Sequence, residues 1–308
     1  MQALTKTEAG LSLLKTPVPS PGPGEVLVKV MCAGLCRTDV YLAHGQLECA
    51  SPRILGHEAS GGICRLGEGV SPHRLGERVG LLPWIGCSTC EYCRQDIEGL
   101  QHLCPERRFL GRHLDGCFAE FVSLRADRCL PLPEALSFQA GAYLEPVTAA
   151  LGVLRAPLKK AGSIAVIGKN RIASLTTILL REYAGLDALA ITSGEAIENS
   201  FNLVIETQAT EQSLSTAMHS LRPDGLLVLK SRPASTVPWP IRLQVEKEIS
   251  TMGVSYGSLK LAAMLLSKRS EMFQELWHQP VPLTEWEAAF QASLEGDESR
   301  KTFFLPRG

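Results

Sequence analysis

Residues 56–70 read GHEASGGICRLGEGV, a stretch that joins two metal-ligand side chains to a short β-type segment. His57 offers an imidazole and Glu58 a carboxylate. The segment GLCRTD at residues 34–39 adds the thiol of Cys36. Thiolate and imidazole are borderline-soft ligands that suit zinc. Each segment alone is weak evidence, because single cysteines and histidines more often serve packing or lie at the surface.

The composition indicates an ordinary globular protein. Its 308 residues are 45% hydrophobic and 20% charged, which suits two domains. A net charge of -1 gives no general attraction to nucleic acid or to an anionic membrane. No apolar run approaches the roughly 20 residues needed to span a bilayer, and the N-terminal MQALTKTEAG lacks the apolar core of a secretory signal. We therefore expect a cytoplasmic protein that binds small molecules, with no nucleic-acid or membrane partner.

The pattern of the chain changes near residue 140. Before it, short β-type runs such as EVLVKVMCAG and ERVGLL alternate with Gly- and Pro-rich turns. After it, helical segments alternate with apolar strands, which are SIAVIG, DALAITS, FNLVIE and GLLVLK. Alternating strands and helices predict a parallel sheet with crossover helices. The fold class is therefore α/β, with a mostly β first half.

Cysteine spacing predicts a metal site in the first half. The chain has ten cysteines and none follows Cys129. Four of them form C-x2-C-x2-C-x10-C, namely Cys87, Cys90, Cys93 and Cys104. Four thiolates at this spacing can close a tetrahedral structural zinc site, whereas a disulfide framework suits small secreted domains. Reduced free thiols are the alternative.

These motifs occur in the order found in zinc-containing medium-chain alcohol and polyol dehydrogenases, which the chain resembles. The shared markers are PGPGEVLVKV, CRTD, GHEASGGICRLGEGV, LGERVG, the four-cysteine lobe and DGCFAEFV. The resemblance covers nearly the whole chain and is stronger in its first half. It implies an N-terminal GroES-like β domain and a shortened Rossmann doubly wound parallel sheet. The implied bounds are 1–150 for the catalytic domain with its zinc lobe at 84–108, 151–256 for the nucleotide domain, and 257–308 for a return to the catalytic domain.

The resemblance implies two zinc ions per chain. It assigns the catalytic zinc to Cys36, His57, Glu58 and Glu145, the last in YLEPVTAAL as in the sorbitol and threonine dehydrogenase branch. Glu145 has an alternative role as a first-turn carboxylate that the helix dipole favours. The gap before Cys104 is three residues longer than is usual in the family. We expect the extra residues, within QDIEGLQH, to bulge outward.

Three residues of the first half carry further catalytic-site roles by resemblance. Thr38 matches the hydroxyl that accepts the substrate proton, although it could instead stabilise a turn. Asp39 is expected to orient His57, and Glu58 to bind the metal or to exchange with water. Tyr41 stands where many relatives carry a relay histidine, so the outer proton path is open.

The nucleotide fingerprint is incomplete. A G-x-G-x-x-G turn would occupy residues 168–173, where the chain has Gly168, Asn170 and Ala173 at the glycine positions. Its support is the strand before it and the helix after it. We expect Asn170 to tolerate the unusual backbone angles, and Lys169 or Arg171 to offset phosphate charge.

The end of the second strand lacks the carboxylate that selects NAD. Ser193 stands near that position, with Glu195 as a substitute, and no arginine is nearby for a 2'-phosphate, so NAD and NADP both remain open. Arg37 and Lys301 match family positions that contact the pyrophosphate, or are plain surface cations. Between the end of the second strand and FNLVIE, the chain is about thirty residues shorter than the family pattern. This predicts the loss of one strand and one helix.

The leading hypothesis is hydride transfer between a secondary alcohol (a polyol, amino alcohol or cyclitol) and NAD(P). The alternatives are a dehydrogenase of simple alcohols or aldehydes, and a zinc-bearing relative without turnover. A zinc-independent quinone reductase fits poorly, because that branch lacks both cysteine sets. The family's habit implies a homodimer or homotetramer.

Overall fold

A computed structural model describes residues 1–94, 101–158, 162–296 and 299–307. The chain divides into two compact units, which are described separately. The first unit comprises Met1–Pro146, Leu259–Asp297 and Lys301–Gly308. The second comprises Val147–Ser258 and Glu298–Arg300. Within the described ranges, no helix is both long and apolar enough to cross a bilayer.

The regular elements are as follows. The strands are β1 Gln2–Thr7, β2 Gly10–Lys15, β3 Glu25–Gly34, β4 Arg53–Ile54, β5 Glu58–Leu66, β6 Arg78–Leu81, β7 Trp84–Ile85, β8 Arg108–Phe109, β9 Phe121–Arg125, β10 Cys129–Pro131, β11 Ile164–Ile167, β12 Leu189–Ile191, β13 Phe201–Glu206, β14 Leu221–Leu229, β15 Ser250–Gly253, β16 Val281–Pro282 and β17 Phe303–Leu305. The α-helices are α1 Arg37–Ala43, α2 Glu91–Arg94, α3 Phe138–Ala142, α4 Leu144–Ala150, α5 Arg171–Leu179, α6 Glu211–Ser220, α7 Ile241–Glu246, α8 Leu259–Arg269 and α9 Trp286–Leu294.

The first unit is built around antiparallel strands. Its largest sheet has the order β10-β6-β5-β3-β17-β16, with β9 also paired to β3. The alternating valines of β3, Val26, Val28 and Val30, are all buried in one core. Phe118 packs edge-on against Phe304 in the same core, with ring centroids 5.2 Å apart. The predicted β-rich first half is present, and the C-terminal strand β17 joins its largest sheet.

Pairing of β3 with β5 positions the predicted metal ligands. The two strands run antiparallel, and Gly34 at the end of β3 lies opposite Glu58 at the start of β5. Cys36 follows β3 by two residues and His57 directly precedes β5. Because antiparallel register places these strand ends side by side, side chains about twenty positions apart in sequence meet at one edge.

The second unit contains a parallel sheet with the order β12-β11-β13-β14-β15. All residues of β11 are buried, as expected for a strand with both faces covered. Ile164 and Val166 share one core with Ala173 of α5. Ala165 and Ile167 contribute to the opposite core, which contains Ala217 and Met218 of α6. Helices therefore cover both faces, which confirms the predicted doubly wound sheet.

The predicted shortening of this sheet is also confirmed. The sheet has five strands, and residues 192–200 join β12 to β13 without a strand or helix. The usual doubly wound order 3-2-1-4-5-6 has a further strand beyond the second. That outer strand is absent among the described residues, so β12 forms the edge and Leu189 is 50% exposed.

Candidate metal and nucleotide sites

Three predicted ligands converge at the end of β3 and the start of β5. One donor atom from each of Cys36, His57 and Glu58 lies within 4.8 Å of the other two. His57 and Glu58 are each only 1% exposed, and Cys36 is half-buried. A thiolate, an imidazole and a carboxylate this close form a donor set that fits zinc.

Asp39 holds two of these ligands in place from the first turn of α1. Its carboxylate is fully buried and accepts hydrogen bonds from the backbone N–H of Cys36 at 3.0 Å and of Gly56 at 3.1 Å. It also lies 3.1 Å from His57 Nδ1. A carboxylate only accepts, so Nδ1 carries the proton and Nε2 stays available to a metal. Asp39 is therefore a positioning residue.

The electrostatics favour the ligating form of the thiol. Burial raises the pKa of Cys36, but the neighbouring His57 and Lys301 outweigh it and bring that pKa to about 6. Burial opposes protonation of His57, whereas Asp39 and Cys36 raise its pKa well above the ordinary value. The thiol is thus ionised near neutral pH beside a protonated His57, and a zinc ion would displace the proton from His57 Nε2 on binding.

Glu58 has a buried basic partner that the sequence did not reveal. Lys301 Nζ forms an ion pair with Glu58 Oε2, and both side chains are almost fully buried. Burial raises the pKa of Glu58 well above its usual value, although Lys301 opposes this. Gly34 makes room for the pair, because a Cβ there would lie 2.9 Å from Lys301 Cε. The pyrophosphate contact of Lys301 stays a prediction, and its engagement with Glu58 counts against it.

Glu145 is near the group but is not part of it. It is 4% exposed in the first turn of α4, and its charge raises the pKa of Glu58. The set of mutually close ligand atoms contains Cys36, His57 and Glu58 without it. The structure therefore brings together three of the four predicted ligands, and direct ligation by Glu145 stays a prediction.

The predicted proton path begins on α1. Thr38 is half-buried in the first turn of that helix, two residues from Cys36. Tyr41, which stands at the family's relay position, is half-buried in the same helix. Arg37, the first residue of α1, is also half-buried. Their roles toward substrate and phosphate stay predictions.

Two further neighbours of the ligand group were missed from sequence. The Phe109 ring packs on the His57 imidazole, with centroids 4.9 Å apart. Cys117 is fully buried, and burial together with the charges of Asp39 and Glu58 raises the pKa of its thiol well above the ordinary value. Phe109 lies on β8 and the Cys117 N–H donates to Gly56 O, and no local spacing in the sequence signals either contact.

The four lobe cysteines form a second donor set. The sulfur atoms of Cys87, Cys90, Cys93 and Cys104 all lie within 4.8 Å of one another. A tetrahedral zinc with Zn–S bonds of about 2.3 Å separates sulfurs by about 3.8 Å. Hydrogen bonds from Thr89 and Cys90 lower the pKa of Cys87 to about 6. The set fits a closed structural zinc site. The bulge expected within QDIEGLQH falls mostly on residues 95–100, outside the described residues.

The turn after β11 differs from a three-glycine fingerprint. Gly168 has φ +133°, and a Cβ there would lie 2.3 Å from Thr207 Oγ1, so this position needs glycine. Asn170 has ordinary extended angles (φ -110°), so the expectation of unusual angles was wrong. It instead caps α5: its Oδ1 accepts from Ala173 N at 3.0 Å, and its Nδ2 donates to Thr207 O at 2.9 Å.

This cap limits the fit to a pyrophosphate. The helix N-terminus offers free N–H groups to an anion, but the cap already uses that of Ala173. Arg171 Nη1 donates to Arg300 O at 3.0 Å, and Lys169 is exposed. Ser193 is half-buried after β12, and its Oγ is buried without a hydrogen-bond partner in the described part of the chain. The residues present fit a dinucleotide less fully than the family pattern does.

Replacing Asp39 with asparagine tests the positioning role. The new side-chain amide would direct an N–H group at one of the three N–H donors that the carboxylate now accepts from. We expect zinc affinity at this site or turnover to fall about 10- to 100-fold. Competition with a fluorescent chelator measures the affinity. Asp115→Asn, at the exposed pair with Arg53, is the control; equal effects of the two variants would contradict the role of Asp39.

Replacing Asn170 with glycine tests the cap. We expect tighter binding of NADH, because loss of the Cβ and cap opens the turn to the pyrophosphate. Two hydrogen bonds to Thr207 are also lost, so stability should fall by about 1–2 kcal/mol. Nicotinamide fluorescence and urea unfolding measure both effects. Asn170→Ala keeps the Cβ as a control; weaker NADH binding by the glycine variant would show that the Asn170 amide itself aids the cofactor.

Comparisons with known proteins identify the family of this chain. Residues 22–134 match the family described as the alcohol dehydrogenase GroES-like domain. A probable D-xylulose reductase A of Aspergillus terreus is 30% identical, over 91% of this chain and 91% of its own. The fold matches an Escherichia coli CFT073 alcohol dehydrogenase solved with NADH (TM-score 0.86, 23% identity, 99% of both chains covered). It also matches galactitol-1-phosphate dehydrogenase of Escherichia coli (TM-score 0.83, 21% identity, 99% of this chain and 100% of that chain). The chain therefore belongs to the zinc-containing medium-chain alcohol and polyol dehydrogenases.

Proposed function

We propose that this protein is a zinc-dependent dehydrogenase that transfers a hydride between a secondary alcohol of a polyol and NAD(P). The observation that carries the proposal is the group formed by Cys36, His57 and Glu58, within 4.8 Å of one another and supported by Asp39. The four lobe sulfurs already form a complete structural site, so a structural metal does not account for the separate group of three ligands. Three protein ligands leave a position for substrate, as in catalytic zinc sites.

The chain's own residues support this chemistry in distinct ways. A zinc ion held by Cys36 and His57, with Glu58 or Glu145, would supply Lewis-acid polarisation of a substrate hydroxyl. Asp39 fixes the tautomer of His57. The Phe109 ring packs at a tilt against that imidazole, which is itself buried. Thr38 is assigned to accept the substrate proton and to pass it outward.

The relatives support a polyol substrate. The Aspergillus terreus relative is named a D-xylulose reductase, and one matching structure is a galactitol-1-phosphate dehydrogenase. The buried Glu145 in Glu-Pro agrees with the polyol branch implied by the motif resemblance. Amino alcohols, cyclitols and simple alcohols are the substrates to compare.

A substrate screen tests the proposal. The zinc-loaded protein is mixed with xylitol, sorbitol, galactitol, threonine, myo-inositol and ethanol, each with NAD and with NADP. We expect reduced nicotinamide to form with polyols in preference to ethanol. Faster turnover of ethanol would assign a simple alcohol dehydrogenase. The absence of an acidic residue at Ser193 makes the two cofactors a necessary comparison.

A second candidate, a zinc-bearing protein without turnover, is favoured by the cap of Asn170 and by the absence of the outer strand from the described part of the sheet. Titration with NADH separates the two. Unchanged nicotinamide fluorescence at millimolar NADH and NADPH would support the second candidate. A saturable change would support the dehydrogenase.

We further infer a cytoplasmic homodimer or homotetramer. All ten cysteines are free, which agrees with a reducing compartment. The oligomeric state is inferred from the family, and analytical sedimentation of the purified protein measures it.

A further inference from the structure

A tight turn next to the ligand group carries an unusual amount of positive charge. We call residues 107–113 the basic turn. The backbone N–H groups of Arg112 and His113 donate to Phe109 O at 3.3 and 2.8 Å. Gly111, at φ +74°, packs on Gly56, because a Cβ there would lie 2.9 Å from the Gly56 backbone. With Phe109 on the His57 ring, the basic turn is held against His57 and the residue before it.

Among the described residues, most of this charge has no acidic partner. The pKa of His113 is lowered by the positive charges of four nearby arginines, Arg112, Arg107, Arg53 and Arg108. Arg53 pairs with Asp115 at 3.0 Å. In the described ranges no carboxylate forms an ion pair with the guanidinium of Arg107, Arg108 or Arg112. Like charges held this close repel one another, so an anion bound here would relieve the repulsion.

The turn also presents hydrogen-bond donors. Arg112 is half-buried, and its Nε donates to Glu48 O at 3.0 Å, which anchors the side chain and leaves its two terminal nitrogens to bind a ligand. His113 Nδ1 accepts from Phe109 N at 3.0 Å. Burial and the four arginines lower the pKa of His113, so the neutral ring carries its proton on Nε2.

We propose that the basic turn binds a phosphate group at the far end of the polyol substrate, and that Arg112 is the main specificity-determining residue. The inference rests on the proposed function, because the polyol hydroxyl must reach the group of Cys36 and His57. A polyol chain extends away from the reacting carbon, so its distal end meets residues beyond the metal ligands. Guanidinium groups bind phosphate oxygens through paired N–H donors, and a neutral hydroxyl gains much less from them.

Matched substrates test the proposal on the zinc-loaded protein. We expect kcat/KM for galactitol 1-phosphate to exceed that for galactitol about 10- to 100-fold. Arg112→Gln should remove most of this preference, because it should lower kcat/KM for galactitol 1-phosphate far more than kcat/KM for galactitol. Arg65→Gln, at an exposed position on β5, is the control and should keep the preference. Without nicotinamide, galactitol 1-phosphate should raise the Tm of the protein more than galactitol does, and Arg112→Gln should abolish the difference.

The outcomes separate this inference from the proposed function. Equal kcat/KM for the two galactitol compounds, or an equal loss for both in Arg112→Gln, would overturn the phosphate site while the dehydrogenase stands. No turnover of either compound, together with an Arg112-dependent rise in Tm, would support the phosphate site and contradict the polyol dehydrogenase.

Discussion

Cys36→Ser is expected to abolish turnover and to remove one of two zinc ions per chain. The thiol, with a pKa of about 6, is ionised at neutral pH, whereas a serine hydroxyl is not and is a poor zinc ligand. A metal ion contributes several kcal/mol to stabilising transition-state charge, so kcat/KM should fall on the order of 10³-fold or more. Initial rates and metal analysis of the purified variant measure these effects.

Cys64→Ser is the matched control. Cys64 lies on β5, as Glu58 does, but is exposed and outside both ligand groups. We expect its activity and zinc content to equal those of the wild type. Far-ultraviolet circular dichroism should be unchanged in both variants, because Cys36 lies in a loop between β3 and α1. Full activity of Cys36→Ser would remove the catalytic zinc from this account.

Cys93→Ser is expected to lower stability rather than to remove the catalytic zinc. It breaks the four-sulfur set that holds a lobe whose described residues include few buried apolar side chains. Structural zinc contributes about 10–16 kcal/mol to folding in small peptides. Loss of about a third of this would lower the Tm by about 10 °C in a unit of this size. Calorimetry and metal analysis measure the shift and the lost zinc.

The same control, Cys64→Ser, should leave the Tm within about 2 °C, because surface substitutions usually change stability by about 0.5 kcal/mol or less. Residual turnover by Cys93→Ser at low temperature would agree with a structural role. An unchanged Tm with two zinc ions retained would show that the lobe cysteines do not hold a metal.

The sequence predicted most of what local pattern and spacing can encode. Cys36 and His57 stand in short motifs beside strand ends, so their meeting follows once β3 and β5 pair. The lobe cysteines form a set within 18 residues. The shortened sheet followed from the small gap between DALAITS and FNLVIE.

Long-range contacts were beyond such patterns. Lys301 meets Glu58 because β17 pairs with β3, far along the chain. Phe109 reaches His57 through a turn whose conformation no spacing rule encodes. Asn170 was expected to tolerate unusual backbone angles, whereas it has ordinary angles and caps a helix, which is a common use of asparagine. Long-range strand pairing, turn conformation and side-chain capping therefore account for the differences between the sequence predictions and the structure.

Anomalous diffraction at the zinc absorption edge from crystals of the purified protein tests the central claim most directly. We predict one peak within bonding distance, about 2.3 Å or less, of both Cys36 Sγ and His57 Nε2, and a second among the four lobe sulfurs. A map with zinc in the lobe and no peak between Cys36 and His57 would contradict the account.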